Sequence, residues 1–489
     1  MNGPLQLAPE MEAALPVLLR LEQAGHEAVF VGGCVRDLLL GLSLKDVDIA
    51  SPAQPEEVMA LFPGCIPTGL QHGTVTVRSG GQLYEVTTYR AEADYEDSRR
   101  PSSVAFIRNL EEDLLRRDFT MNAMALDRRG KLWDPFGGRE DLSLRRIRAV
   151  GYAKERFAED ALRLLRGIRF ASVYKLKFSH GTWKGLLASR EGLRRIAMER
   201  VGLELDRMIG GGGIARAAAL LVASDLPAYF KDSLPGWHEA KMSFSMPERQ
   251  SELASRMELA SRLGGADDGW AALFLLLELD EATAAGWFDR LRYSHARRDR
   301  LADILRMHYK LVAAGWERLS SKLWTELVLD EGQAAAEHWL EFMEQAEKHG
   351  LHAGLLTPLG PSRLSVEDME RHEESMPAVE LAEWHGRSMP ALKPASERPG
   401  LSSSGAMVDP AEAAANCRAW LQAMPVRSLK ELAVDGRKLQ IELGRRPGPW
   451  LGPLLGRLLR ETARGKVANE EAALLAHVRQ LADGEEGTT

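Results

Sequence analysis

The sequence predicts an α+β N-terminal part with helices after it, and three stretches carry that prediction. EAVFVGGCVRDLLLG, residues 27–41, runs from a short apolar strand over Val29, Phe30 and Val31 through a glycine pair into a helix near Val35. TVTVRSGGQLYEVTTYR, residues 74–90, alternates apolar and polar residues on both sides of Ser79, Gly80 and Gly81, the pattern of a β-hairpin. ERFAEDALRLLRGIRFAS, residues 155–172, has helical period, with Ala161, Leu162, Leu165, Ile168 and Ser172 near one stripe.

The first element sets up the second. A glycine pair between strand and helix lets a phosphate approach backbone N–H groups at the helix N-terminus, and Arg36 adds a fixed positive fork. KDVDIAS, residues 45–51, then reads as a strand with Asp46 and Asp48 on one face. Two carboxylates that close repel each other. They mark either a solvated strand end or a divalent metal held by hard oxygen ligands. Glu85, on the second hairpin strand, is either a third carboxylate near that metal or an exposed strand residue.

AEADYEDSRRPSSVAF, residues 91–106, is polar, charged and broken by Pro101, and reads as a loop. LLRRDFTMNAMALD, residues 114–127, resumes a helical pattern whose polar members are Arg116, Arg117, Asp118 and Asn122. Beside a phosphate site, Arg117 is the candidate ligand clamp. On the helix over 155–172, Asp160, Arg163, Arg166 and Arg169 recur every three residues. An Asp accepts from an exocyclic amine and an Arg donates in a planar fork. That pair matches the edge of C or A, an amine beside a ring-nitrogen acceptor. G and U present a keto oxygen and a ring N–H there, and mismatch.

At 489 residues the chain exceeds a single core and should divide into about three or four domains. The formal charge of −7 argues against a uniformly basic nucleic-acid binder and leaves room for a local basic surface. Cys34, Cys65 and Cys417 form no zinc spacing and suit a reducing compartment, so a cytoplasmic location is expected. The N-terminal stretch lacks the basic start and apolar run of a signal peptide, and no apolar run spans a bilayer. In the second half, FDRLRYSHARRDR (288–300) is either a phosphate-contacting patch or a solvated helix face. Residues 389–410, rich in Pro, Ser and Gly, read as a linker. Over residues 427–466 basic residues outnumber acidic ones ten to four, which suits a grip on RNA backbone. Trp450 in RRPGPW is read as a packing residue, with stacking on RNA as the alternative.

VFVGGCVRD, KDVDIA, EVTTYR, RRDFTMNAMA, DPFGG and EDALRLLRGIRF occur in the order found in class II tRNA nucleotidyltransferases, the bacterial CCA-adding enzymes. RIAMERVGLELDRMI resembles that family's neck helices, and VRSLKELAVDGRKL with RRPGPWLGPLLGRLL resembles the tail of its Bacillus-type members. The resemblance implies a head (1–148) with a five-stranded mixed sheet of the polymerase-β-like type. An all-α neck (149–215) and body (216–386), a linker (387–410) and a tRNA-binding tail (411–489) would follow. It implies that Asp46 and Asp48 hold Mg²⁺, with Glu85 as accessory carboxylate. Gly33, Arg36 and Arg117 would contact nucleotide phosphates or sugar, and Asp160 and Arg163 would template the base, supported by Arg166 and Arg169. It implies two-metal nucleotidyl transfer of C, C and A from CTP and ATP to the tRNA 3′ end. No stable protein partner is expected, a homodimer being the one assembly left open. The rivals within the family are A-adding and CC-adding enzymes and poly(A) polymerase. Poly(A) polymerases typically carry a GRRF-type stretch where this chain has GLQHGTVTV, and CC-adding enzymes shorten the loop that is full length here. An HD phosphohydrolase domain is not expected, since no His-Asp dipeptide occurs.

Overall fold

The computed structural model describes residues 3–92, 104–316, 319–356 and 410–486. The chain forms two compact units, one reaching to Trp237 and one starting at His238. The first unit opens with α1 (Pro9–Gln23), β1 (Val29–Val31), α2 (Gly33–Leu40), β2 (Asp48–Ser51), α3 (Pro55–Leu61) and β3 (Ile66–Gly69). The hairpin β4 (Thr74–Ser79) and β5 (Gln82–Thr88) follows, then a two-stranded ribbon, β6 (Arg90–Glu92) with β7 (Val104–Phe106), and α4 (Leu110–Leu115). β8 (Ala125–Leu126) and β9 (Leu132–Trp133) complete the main sheet, whose order is β3-β4-β5-β2-β1-β8-β9. Seven strands therefore stand where five were expected, the two-residue pair β8 and β9 extending the sheet beyond β1. The sheet is mixed: β2 runs parallel to β5, and the other neighbours are antiparallel.

Strand alternation divides the core. Val29, Val31 and Ala50 pack with Leu110 and Leu114 of α4 on one face. Phe30 and Ile49 are fully buried and, by period two, point to the other. Asp48 precedes Ala50 by two and so shares the α4 face. β2 starts only at Asp48, and Asp46 lies in the segment leading into it, not within the strand.

The helix expected over 114–127 is not formed. α4 ends at Leu115, and a 3₁₀ turn over Thr120–Asn122 leads into β8. Asp118 Oδ1 accepts the Phe119 backbone N–H at 2.8 Å and Asn122 Nδ2 at 3.0 Å, local bonds that compete with a helix. Phe119, Met121, Ala123 and Met124 are all buried, so their pattern reports burial on every side, not one helical face.

α5 (Gly138–Ser143) and the short β10 (Arg146–Ile147) lead into the helical region. There the single helix expected over 155–172 is two: α6 (Ala153–Glu159) and α7 (Leu162–Val173). Asp160 breaks it, with extended backbone at φ −141°, ψ 104°, and its Oδ1 accepts the Leu162 N–H at 3.0 Å. After β11 (Lys177–Phe178), α8 (His180–Ala188), α9 (Met198–Ile209) and α10 (Ile214–Ser224) follow, α8 packing on α6 and α9 and α10 on α7. Phe119 meets Phe157 of α6 and Phe170 of α7 with ring centroids 6.4 and 5.9 Å apart, joining the sheet's turn to both helices.

The second unit is helical throughout its described residues. Trp270, Phe274, Trp287 and Phe288 form one aromatic core, and Trp324 packs on Trp339. In the stretch over 288–300, Arg297 pairs with Asp267, Arg298 with Asp289 and Asp299, and Arg300 with Asp268, so carboxylates already take these charges. Trp450 is half-buried and outside the core, its indole N–H donating to the Arg446 carbonyl at 3.0 Å. The expected linker, 387–410, lies outside the described residues except Pro410, which opens a helix; the expected loop is described only at its ends, in β6 and β7. Among the described residues no helix is long and apolar enough to cross a membrane.

Candidate active site

β1 ends at Val31, and the chain turns through Gly32 at φ 72°, a conformation L side chains rarely adopt. A Cβ at Gly32 would stand 3.0 Å from Arg117 Nη1 and 3.7 Å from Asp48 Oδ2. Glycine is thus required both by the backbone and by the side chains crowding the turn. α2 begins at Gly33, so its first N–H groups open beside Asp48 and Arg117.

All ten residues singled out from the sequence, Gly33, Arg36, Asp46, Asp48, Glu85, Arg117, Asp160, Arg163, Arg166 and Arg169, line one cleft of about 710 Å³ in the first unit. Nine arginines and five carboxylates line it, an excess of positive charge that suits a polyanionic ligand.

One end of the cleft is acidic. Asp48 at the start of β2 lies in direct parallel register with Glu85 on β5, so both side chains leave the same face. Burial raises the Asp48 carboxyl above its usual range, and neighbouring Glu85 and Asp46 raise it further against a partial offset from Arg117 and Arg36. Such a set of acceptor oxygens calls for a cation. Among the described residues no group of three or more His, Cys, Asp or Glu side chains is placed to hold a metal alone. Two hard carboxylates completed by substrate phosphates are the usual Mg²⁺ arrangement, and these residues fit it.

Arginines occupy the centre. Arg36 is buried and braced: it donates to Asn122 Oδ1 at 2.7 Å, to the Tyr174 hydroxyl at 2.6 Å and to both oxygens of Asp37. Its guanidinium lies 4.4 Å from the Tyr174 ring centroid. Arg117 pairs with Asp113 at 3.3 Å, and its buried Nε has no partner. Asp113, 1% exposed, also accepts from Arg116 and from the backbone N–H of Arg90 at the start of β6.

The far end holds the charged row. Asp160 accepts from Leu162 N–H and from Arg200 Nη2, each at 3.0 Å. Arg163 is buried and donates to Glu159 at 2.6 Å and to the carbonyls of Arg156 and Arg116, each at 3.0 Å. Arg166 pairs with Asp118 at 2.7 Å and Arg169 with Glu204 at 2.6 Å. Sequence reading did not select Arg90, Asp118, Asn122, Arg200 or Arg207, all of which line the cleft. A signal for part of this set was present: Arg200, Glu204 and Arg207 follow the i, i+4, i+7 spacing of one helical face. Arg90 closes the EVTTYR motif, and its own position there was the signal.

A family model described as the Poly A polymerase head domain matches residues 28–148, and one described as tRNA nucleotidyltransferase domain 2, putative, matches residues 406–478. With the mixed sheet and its cleft, the first match defines the head as that of a nucleotidyltransferase. The chain is 32% identical to the CCA-adding enzyme of Limosilactobacillus reuteri (strain DSM 20016) over 478 residues, 97% of this chain and 98% of that protein. It is 45% identical to the CCA-adding enzyme of Geobacillus stearothermophilus over 279 residues, 56% of this chain and 65% of that protein. Two further Geobacillus alignments span 56% and 57% of those enzymes. The solved Bacillus stearothermophilus CCA-adding enzyme in complex with CTP superposes with a TM-score of 0.72 at 30% identity, covering 99% of this chain and 100% of that one. The chain belongs to the CCA-adding enzyme family.

Proposed function

We propose that this protein adds C, C and A in turn to the 3′ end of tRNA, using CTP and ATP, releasing pyrophosphate and copying no nucleic-acid template. The observation that carries the reading is a single cleft joining a paired-carboxylate end to an Asp and Arg row, in a chain aligned over 97% of its length with a CCA-adding enzyme. The domain reading belongs to the proposal: head, neck (149–215), body (216–386) and a tail (411–489) that grips tRNA backbone, acting in the cytoplasm.

Asp46 and Asp48 would hold Mg²⁺, as two ions in the two-metal form, with Glu85 as accessory carboxylate. Bound there, Mg²⁺ supplies a lowered pKa for the attacking 3′-hydroxyl and charge neutralisation at the phosphates. The protein's own task is positioning and electrostatics. The Gly33 end of α2 and Arg36 receive phosphate, and the bracing of Arg36 by Asn122 and Tyr174 means little side-chain freedom is lost on binding. Arg117, whose Nη1 stands against the Gly32 turn, brings its guanidinium to the phosphates or sugar. Asp160 accepts the exocyclic amine of C or A, and Arg163 donates to the adjacent ring nitrogen, the base replacing one of its present partners. Arg166 and Arg169, pinned by Asp118 and Glu204, keep α7 in place.

The test is incubation with Mg²⁺, each labelled nucleotide, and tRNA lacking all three terminal residues or ending in CC. Completion of CCA on the shorter tRNA supports the proposal. Addition of A to the CC-ending tRNA with no extension of the shorter one, arrest after CC, or long A tails on arbitrary RNA would each replace it with the corresponding rival activity.

A further inference from the structure

We infer that Arg200 on α9 is a specificity-determining positioning residue that aims Asp160 at the exocyclic amine of the incoming base; the inference rests on the base-reading role proposed above. Asp160 lies at the break between α6 and α7 with extended backbone, so no helical turn restricts its side chain. Its Oδ1 bond goes to the backbone two residues on, a local turn contact that travels with it. Its Oδ2 bond, to Arg200 Nη2 at 3.0 Å, is the one that ties the carboxylate to a separate element 40 residues away.

Arg200 is not a core strut. Its side chain is 39% exposed and lines the same cleft as Asp160, beside the space a base would fill. α9 repeats the device one turn on: Glu204, 1% exposed, holds Arg169 at 2.6 Å and Arg207 at 3.0 Å. The charged face of α9 therefore holds both ends of the row that runs from Asp160 to Arg169.

The chemistry makes orientation matter. A carboxylate accepts from any N–H, including N3–H of U and N1–H of G. A carboxylate held toward the exocyclic position selects the amine of C or A, whereas one free to swing also serves the ring N–H of the wrong bases. Arg200 thus sets selectivity without touching the base.

The experiment measures kcat and KM for CTP and UTP on tRNA lacking its CCA end, using the full chain and the variants Arg200→Ala, Arg200→Lys and Asp160→Ala. Arg200→Ala should reduce the kcat/KM preference for CTP over UTP by about tenfold, the scale of one charged hydrogen bond. Arg200→Lys should restore part of that preference. A general structural defect would depress both nucleotides together and leave the ratio alone, so an unchanged ratio in Arg200→Ala overturns the inference. If Asp160→Ala also keeps the preference, the base-reading proposal itself has failed; if it loses the preference while Arg200→Ala keeps it, only the role of Arg200 has. Should Arg200→Ala not fold, Arg200→Gln, which removes the guanidinium and keeps most of the aliphatic stem, gives the same readout.

Discussion

Asp118 Oδ2 accepts from both Nε and Nη2 of Arg166, each at 2.7 Å. Its other oxygen takes Asn122, whose own Oδ1 takes Arg36, so a continuous chain of hydrogen bonds runs from α2 to α7 across the cleft. Burial by itself would raise the Asp118 carboxyl; the Arg166 charge and the Asn122 and Arg166 hydrogen bonds outweigh it and pull the pKa down to about 2.

That depression has a definite sign. The unfolded value is about 3.9, so the pair stabilises fully above that pH and its contribution is lost as pH falls from there through the folded value. Because the Arg166 side chain is 32% exposed, the contribution is discounted to about 1–2 kcal/mol. Urea unfolding at pH 6, 4 and 3 should show Asp118→Asn less stable at pH 6 and converging on the parent at low pH. Parallel curves across that range would reject the assignment.

Asp48 behaves oppositely. Its carboxyl is raised by burial and then by Glu85, so its ionised form costs stability at neutral pH. Asp48→Asn should melt no lower than the parent in EDTA, gain less stability from added Mg²⁺, and incorporate neither C nor A. Asp46→Ala should likewise abolish incorporation while tRNA binding persists. Substantial turnover in either variant would remove the metal assignment.

Arg163→Ala should relax the choice of C and A over U and G. It should also destabilise the fold by about 1–3 kcal/mol, because the Arg116 and Arg156 carbonyls lose a charged donor while Glu159 keeps only Arg156. Misincorporation assays with all four nucleotides check the first effect and thermal melting the second. A variant with full selectivity would show that Arg163 does not read the base.

The tail's basic residues are not equivalent. Glu326 takes both Arg460 and Arg464, whereas Lys430, Arg437 and Arg446 are exposed. Neutralising these three should flatten the slope of log K for tRNA against log salt by about 2, at roughly 0.7–0.9 for each phosphate no longer neutralised. Neutralising Arg460 and Arg464 should change it less. Equal slopes for both sets and the parent would mean the tail does not meet RNA.

The sequence by itself was enough to bring together every member of the cleft named in advance. Short motifs report what a position needs from its own backbone: a glycine where φ is positive, two carboxylates entering one strand, arginines spaced along one helix. It also determined the α+β start and the hairpin, whose period-two alternation is a local property. The two helix errors have one source. Over 114–127 buried residues on all sides imitated a helical period, while Asp118 and Asn122 bonded locally and turned the chain. At Asp160 the charges kept step with a helix that the Asp itself interrupts. Only the tertiary structure decided which charges answer one another. Asp160 meets Arg200, Arg169 meets Glu204 and Arg36 meets Asn122 across 40, 35 and 86 residues. Hydrogen bonds reach about 3 Å in space and carry no record of separation along the chain, so periodicity alone could not choose among so many arginines.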